Sequence, residues 1–181
     1  MDDARGDLLI RQLDMVWALF EHHAGAVDDE MCLWEPAPGA WTVRKDPAGR
    51  WVADWAQVEP EPVPTTTVAW LTWHIGYWWT TVLEHCFGDG APPREEIGWP
   101  GGGREAVEWL EGLKGRWRAE LVALGDGELD SAERTRGLPF GEGLTLAEIA
   151  AWVNFELAKN VAEIGGVIHL RGALRAAGER S

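Results

Sequence analysis

Cysteine, tyrosine and positive charge are all scarce in this chain. Cys32 and Cys86 are its two cysteines, far apart and without Cys-x-x-Cys spacing. That excludes a disulfide scaffold and a cysteine-built structural zinc site, and it fits a reducing cytoplasm. Sixteen Lys and Arg against thirty Asp and Glu leave a formal net charge of −14, with no basic cluster. Such a surface repels phosphate backbones and anionic lipid, so neither nucleic acid nor a membrane is an expected partner. No stretch approaches the roughly 20 continuous apolar residues of a membrane span. The first residues, Met1-Asp2-Asp3-Ala4-Arg5, lack a basic segment followed by an apolar core. Gly101-Gly102-Gly103 lacks the Lys-Ser/Thr of a phosphate-binding loop and reads as a turn. The expectation is a soluble, cytoplasmic protein that handles a small molecule.

Tryptophan, by contrast, is abundant: thirteen against one tyrosine. Trp fills a core but carries an N–H that needs a partner, so Trp-lined cavity walls are plausible beside plain core filling. With 181 residues and 46% hydrophobic content, the chain is expected to form a single domain over 1–181. Apolar residues recur at helical spacing in four places. Residues 7–26 place Leu9, Leu13, Val16 and Phe20 on one stripe, closed by His22 and His23, which read as partners of the helix dipole. Residues 65–87 carry Trp70, Leu71, Ile75, Trp78, Trp79 and Val82, with Thr65-Thr66-Thr67 offering an N-cap. Residues 104–124 form a third helix in which Gly112 and Gly115 suggest close helix approach. Thr145-Leu146-Ala147-Glu148 is a capping box that opens a fourth helix. Gly165-Gly166 is expected to break or kink it, leaving a short terminal helix around Ile168–Arg175. Between the first two helices, residues 28–64 are rich in Pro, Gly and Trp, with short β-like pieces near 41–44 and 50–53. Arg44 in that loop reads as a surface ion-pair partner before an anion contact.

The fourth helix draws attention because its apolar arc, Ile149, Val153, Leu157 and Ile164, also holds Glu156, Asn160 and Glu163. Polar groups aimed at a bundle core are costly unless paired. His74 lies in the middle of the second helix's apolar arc, with Trp78 one turn later. His85 is about 16 Å further along that axis, too far to share an ion with His74. Glu156 and Asn160, four apart, lie side by side on one turn. Together with His74 they are candidate ligands for a zinc-like or nickel-like divalent ion with open positions. The alternative is a buried polar network without an ion, in which His74 pairs with Glu156 and Asn160 completes the hydrogen bonding. Trp78 and Trp152 are candidate substrate-binding walls. A homodimer through a helix pair is compatible with the pattern, and no feature requires it.

Several segments resemble a known family. Ala69-Trp70-Leu71-Thr72-Trp73-His74-Ile75-Gly76, the loop Trp34-Glu35-Pro36-Ala37-Pro38-Gly39-Ala40-Trp41-Thr42-Val43-Arg44, and a last helix passing through Glu163-Ile164-Gly165 are similar in order and spacing to the DinB/YfiT-like metalloenzyme superfamily. The resemblance runs from about residue 8 to 175. It implies an all-α fold: a DinB-like four-helix bundle with a long Trp/Pro-rich loop between helices 1 and 2 and a short C-terminal helix. It also implies a divalent metal held by His74, Glu156 and Asn160. Glu156-x-x-x-Asn160-x-x-Glu163-Ile164-Gly165 is most similar to the metal-binding domain of mycothiol-dependent maleylpyruvate isomerase, with Asn160 standing where that branch has His. The implied activity is a metal-dependent transferase or isomerase using a low-molecular-weight thiol such as mycothiol. Glu163 would steer or accept a proton as the catalytic group. The competing expectation is a non-catalytic small-molecule binder, or a degenerate bundle without metal.

Overall fold

The computed structural model of the chain describes residues 4–141 and 143–179. Four long helices make the bundle: α1 (Ala4–Ala24), α3 (Val68–Phe87), α4 (Gly103–Ala123) and α6 (Leu146–Gly178). Two one-turn helices, α2 (Asp29–Cys32) and α5 (Asp126–Leu129), lie in the connections. A hairpin of β1 (Val43–Lys45) and β2 (Trp51–Ala53) is the only sheet among the described residues. The fold is all-α in class. None of its helices is long and apolar enough to cross a membrane among the described residues.

Each long helix forms for the reason its periodicity suggests. In α1 the buried positions Leu9, Leu13, Trp17 and Phe20 recur at three- and four-residue intervals on one side. In α3 burial extends around most of the circumference, so this helix sits deepest. α1 packs against α6 and α4, and α3 packs against the same two, so α1 and α3 occupy opposite corners. Trp17 and Trp79 bridge that diagonal with ring centroids 6.0 Å apart. Thr67 caps α3 by accepting the Trp70 N–H. Thr145 and Glu148 form the reciprocal capping box of α6: Thr145 Oγ1 accepts the Glu148 N–H, and the Glu148 carboxylate accepts the Thr145 N–H at 2.8 Å.

Two expectations about glycine need correction. α6 runs unbroken through Gly165 and Gly166, and the residues beyond them are its own last turns rather than a separate short helix. Two glycines weaken a helix by about 1 kcal/mol each. Here Ile164 and Arg171 are buried on either side and keep it continuous. Gly165 instead makes room for α1, because a Cβ there would lie 2.6 Å from His23 Nε2. Gly112 and Gly115 face open space. The close approach belongs to Gly76, where a Cβ would overlap the Trp109 ring of α4.

The Trp-rich connection is held by hydrogen bonds that begin at α3. Trp41 N–H donates to Thr65 O and Thr67 N–H donates to Trp41 O. Thr67 Oγ1 donates to Thr42 Oγ1 at 3.0 Å. The Trp70 indole donates to Asp54 O at 2.8 Å. The hairpin pairs Val43 with Ala53 and Lys45 with Trp51. Its turn is tied by Asp46, which accepts from the backbone of Ala48 and Arg50, with Gly49 supplying the positive φ of 82°. Arg44 is an exposed ion-pair partner of Asp54 and Glu35.

Candidate functional site

His74 sits mid-way along α3 and is 7% exposed. Trp70, one turn before it, stacks on the imidazole with centroids 4.7 Å apart and planes 14° from parallel. Trp78, one turn after it, points its indole Nε1–H at Nε2, 2.9 Å away. The other ring nitrogen, Nδ1, meets Asn160 Oδ1 of α6 at 3.1 Å. Asn160 Nδ2–H in turn donates to the backbone carbonyl of Glu156 at 2.7 Å.

The two ends of this chain determine everything between them. An indole N–H can only donate, so Nε2 accepts. A carbonyl can only accept, so the Asn160 amide nitrogen faces Glu156 and its oxygen faces His74. Nδ1 therefore carries the proton. Burial, and secondarily the charge of Lys159, lower the His74 pKa to about 4 against the opposing pull of Asn160 and Glu156. The ring is neutral at ordinary pH, with each nitrogen engaged by the protein.

The Glu156 side chain does not join His74. Its carboxylate, mostly covered, pairs with Lys159 Nζ at 2.8 Å. The crevice beside Glu156, Asn160, Trp78 and Trp79 has about 10 Å³ of space, room for one water at most. An open zinc-like site needs lone pairs from three side chains plus a vacant position. In this arrangement the Nε2 lone pair accepts the Trp78 N–H, Nδ1 is protonated, the Asn160 oxygen uses one of its two lone pairs on His74, and Glu156 is paired with Lys159. Among the described residues no three His, Cys, Asp or Glu side chains are arranged to hold an ion. The residues as placed do not fit a bound divalent metal.

A larger space lies on the other side of Asn160. A cavity of about 410 Å³ opens between the Trp-rich connection and the 159–170 face of α6. Trp41 and Trp70, 5.4 Å apart, form its aromatic wall. Pro36, Val63, Pro64, Val167 and Leu170 add apolar surface, and Glu59, Lys159, Asn160 and Glu163 supply the polar groups. Glu163 is exposed at the rim, yet partial burial of its carboxyl raises its pKa above the usual glutamate value. Trp78 and Trp152 lie elsewhere: with Phe140 they form an aromatic cluster, Trp78 edge-on to both at 4.8 and 5.2 Å. They close the space behind His74 and do not line this cavity. The site thus brings Asn160 and Glu163 to one wall and leaves His74 behind it. Trp41, Trp70, Glu59 and Lys159 complete it. The concentration of Trp in the connection signals such a wall, but no local pattern says which Trp faces inward.

The two thiols are poor nucleophiles. Burial, with Asp29 and Asp28 adding to it, pushes Cys32 up to about 12; burial pushes Cys86 up to about 11.

No curated protein and no solved structure matches the chain significantly. The sequence profile of the DinB superfamily matches residues 52–164, from the second strand of the hairpin to the middle of α6. That span covers well over half of the chain, with α3 and α4 whole and the first half of α6, and on it this chain belongs to the DinB superfamily.

Proposed function

We propose that this chain is a DinB-fold small-molecule-binding protein in which the His74–Asn160 pair is a hydrogen-bonded wall of the ligand cavity and not a divalent-metal centre. One observation carries this reading: both nitrogens of His74 are engaged by Trp78 and Asn160, while Asn160 borders a 410 Å³ cavity. A cavity of that size, mostly apolar with a few polar groups, suits a compact organic ligand. The chain of three hydrogen bonds from Trp78 to the Glu156 carbonyl stiffens the wall, since each donor is matched to an acceptor.

The competing reading is a zinc- or nickel-dependent transferase or isomerase acting on a low-molecular-weight thiol. It draws on Glu163, whose raised pKa at the cavity rim suits a proton acceptor. It also requires His74 to turn from Trp78 or Asn160. Metal analysis of protein purified without chelator or metal-affinity resin separates the two. The small-molecule reading expects less than about a tenth of an equivalent, unchanged after exposure to zinc or nickel. A content near one equivalent overturns it. Asn160→His gives a companion measurement. An imidazole at 160 that faced a latent ion site would raise zinc affinity, whereas the wall described here expects no gain.

A further inference from the structure

The lining of the 410 Å³ cavity discriminates by charge. Glu59 and Glu163 both border it, and neither has an ion-pair partner among the described residues. The one cation on the wall, Lys159, is already drawn to Glu156 at 2.8 Å. An anionic ligand would therefore meet two carboxylates that form no ion pair and a lysine already paired with Glu156. A cation would meet two carboxylates and the indoles of Trp41 and Trp70, the latter with one face already stacked on His74. Aromatic faces attract cations at up to about 6 Å from the ring centroid. The mouth adds apolar surface that no part of the described chain covers: Val63 is 61% exposed and Leu170 45%. Far from the cavity, the net charge of −14 draws cations inward and repels anions.

Building on the small-molecule reading above, we propose that this cavity takes an organic cation, an ammonium or guanidinium group carried on an apolar body. The charged end lies between Glu59, Glu163 and the Trp41–Trp70 wall. The apolar body rests on Pro64, Val167 and Leu170. Lys159 pairs directly with Glu156 and acts on Glu163 only through its charge.

A charge series on one framework tests this. Calorimetric titration of the full chain with 4-phenylbutylamine, 4-phenylbutanol and 4-phenylbutyrate holds shape nearly constant while charge changes. The amine is expected to bind at least about tenfold more tightly than the alcohol, and the carboxylate most weakly. The double variant Glu59→Gln, Glu163→Gln is expected to lose that preference while binding the alcohol unchanged. Gly166 lines the cavity, and a Cβ there meets nothing within 4 Å. Gly166→Phe is therefore expected to fold, as read by circular dichroism, and to block all three probes. Amine and alcohol binding equally, both blocked by Gly166→Phe, would overturn the charge assignment and leave the cavity as the binding site. An amine affinity unchanged in the double variant would overturn it as well. No binding by any of the three would overturn the cavity reading itself.

Discussion

A proton added to His74 has nowhere favourable to go. Its Nε2 faces the Trp78 indole N–H at 2.9 Å, so protonation would set donor against donor in a buried setting. Burial and Lys159 act in the same sense and bring the pKa to about 4. This fixes the sign of the linkage. The folded-state pKa lies below the unfolded value of about 6.5, so between them the unfolded chain binds a proton that the native chain refuses. The stability contributed by neutral His74 is fully present above about pH 6.5 and is lost as pH falls toward about 4. The loss is on the order of 3 kcal/mol across that window. His23, lowered by burial and by His22 and His169, acts in the same direction. Ring-proton NMR titration distinguishes them, and a His74 midpoint near 6.5 would contradict the hydrogen-bonded chain. Trp78→Phe removes the opposing donor, and its expected effects are a higher His74 midpoint and a loss of about 1–3 kcal/mol.

Helix contacts are set by particular glycines, and these make predictions of opposite sign. Gly76 lets the Trp109 ring lie directly on the α3 backbone. Gly76→Ala would drive a methyl group into that ring, with an expected cost of about 1–3 kcal/mol in chemical denaturation. Gly112 and Gly115 lie within α4, and a Cβ at either meets open space. Alanine at each is expected to stabilise by up to about 1 kcal/mol through helix propensity alone. A stabilising Gly76→Ala, or destabilising changes at 112 and 115, would mean that α3 and α4 meet differently. Helix existence is legible in the spacing of Leu9, Leu13, Val16 and Phe20, although the structure buries Trp17 more deeply than Val16, and in the Thr145–Glu148 capping box. Which glycine marks a helix contact is not. A small residue permits approach, but only the neighbour that arrives, Trp109 or His23, shows that approach occurs.

Over the whole molecule, thirty acidic groups against sixteen basic ones make the folded chain repel itself. Dispersed surface pairs such as Arg118–Asp14 and Arg116–Glu84 relieve this locally and contribute little each. Salt screens the long-range repulsion more than it weakens those short contacts. The melting temperature is therefore expected to rise by a few degrees between about 10 and 200 mM NaCl. A falling melting temperature would show that the ion pairs outweigh net repulsion. The acid-stability measurement on His74 is best made at the higher salt, because protonating carboxylates also relieves repulsion and opposes the histidine effect.

The amino-acid order alone determines the four helices, the capped start of α6, the Trp-rich connection, and the polar trio Glu156, Asn160 and Glu163 among apolar residues. These depend on periodicity and on neighbours within a few residues, which the order states directly. The superfamily is legible for the same reason: Trp70 through Gly76, and Glu163 through Gly165, keep a recognisable spacing. Tertiary structure decides what that trio does. Glu156 turns to Lys159, Asn160 reaches His74 across 86 residues of chain, and Glu163 moves to the rim of a cavity walled by Trp41 and Trp70. The lone pairs of His74 are governed by ring orientation and by which partners reach the ring. Helical spacing puts a residue on a face, but the packing of α3 against α6 determines whether its nitrogens remain free for a ligand.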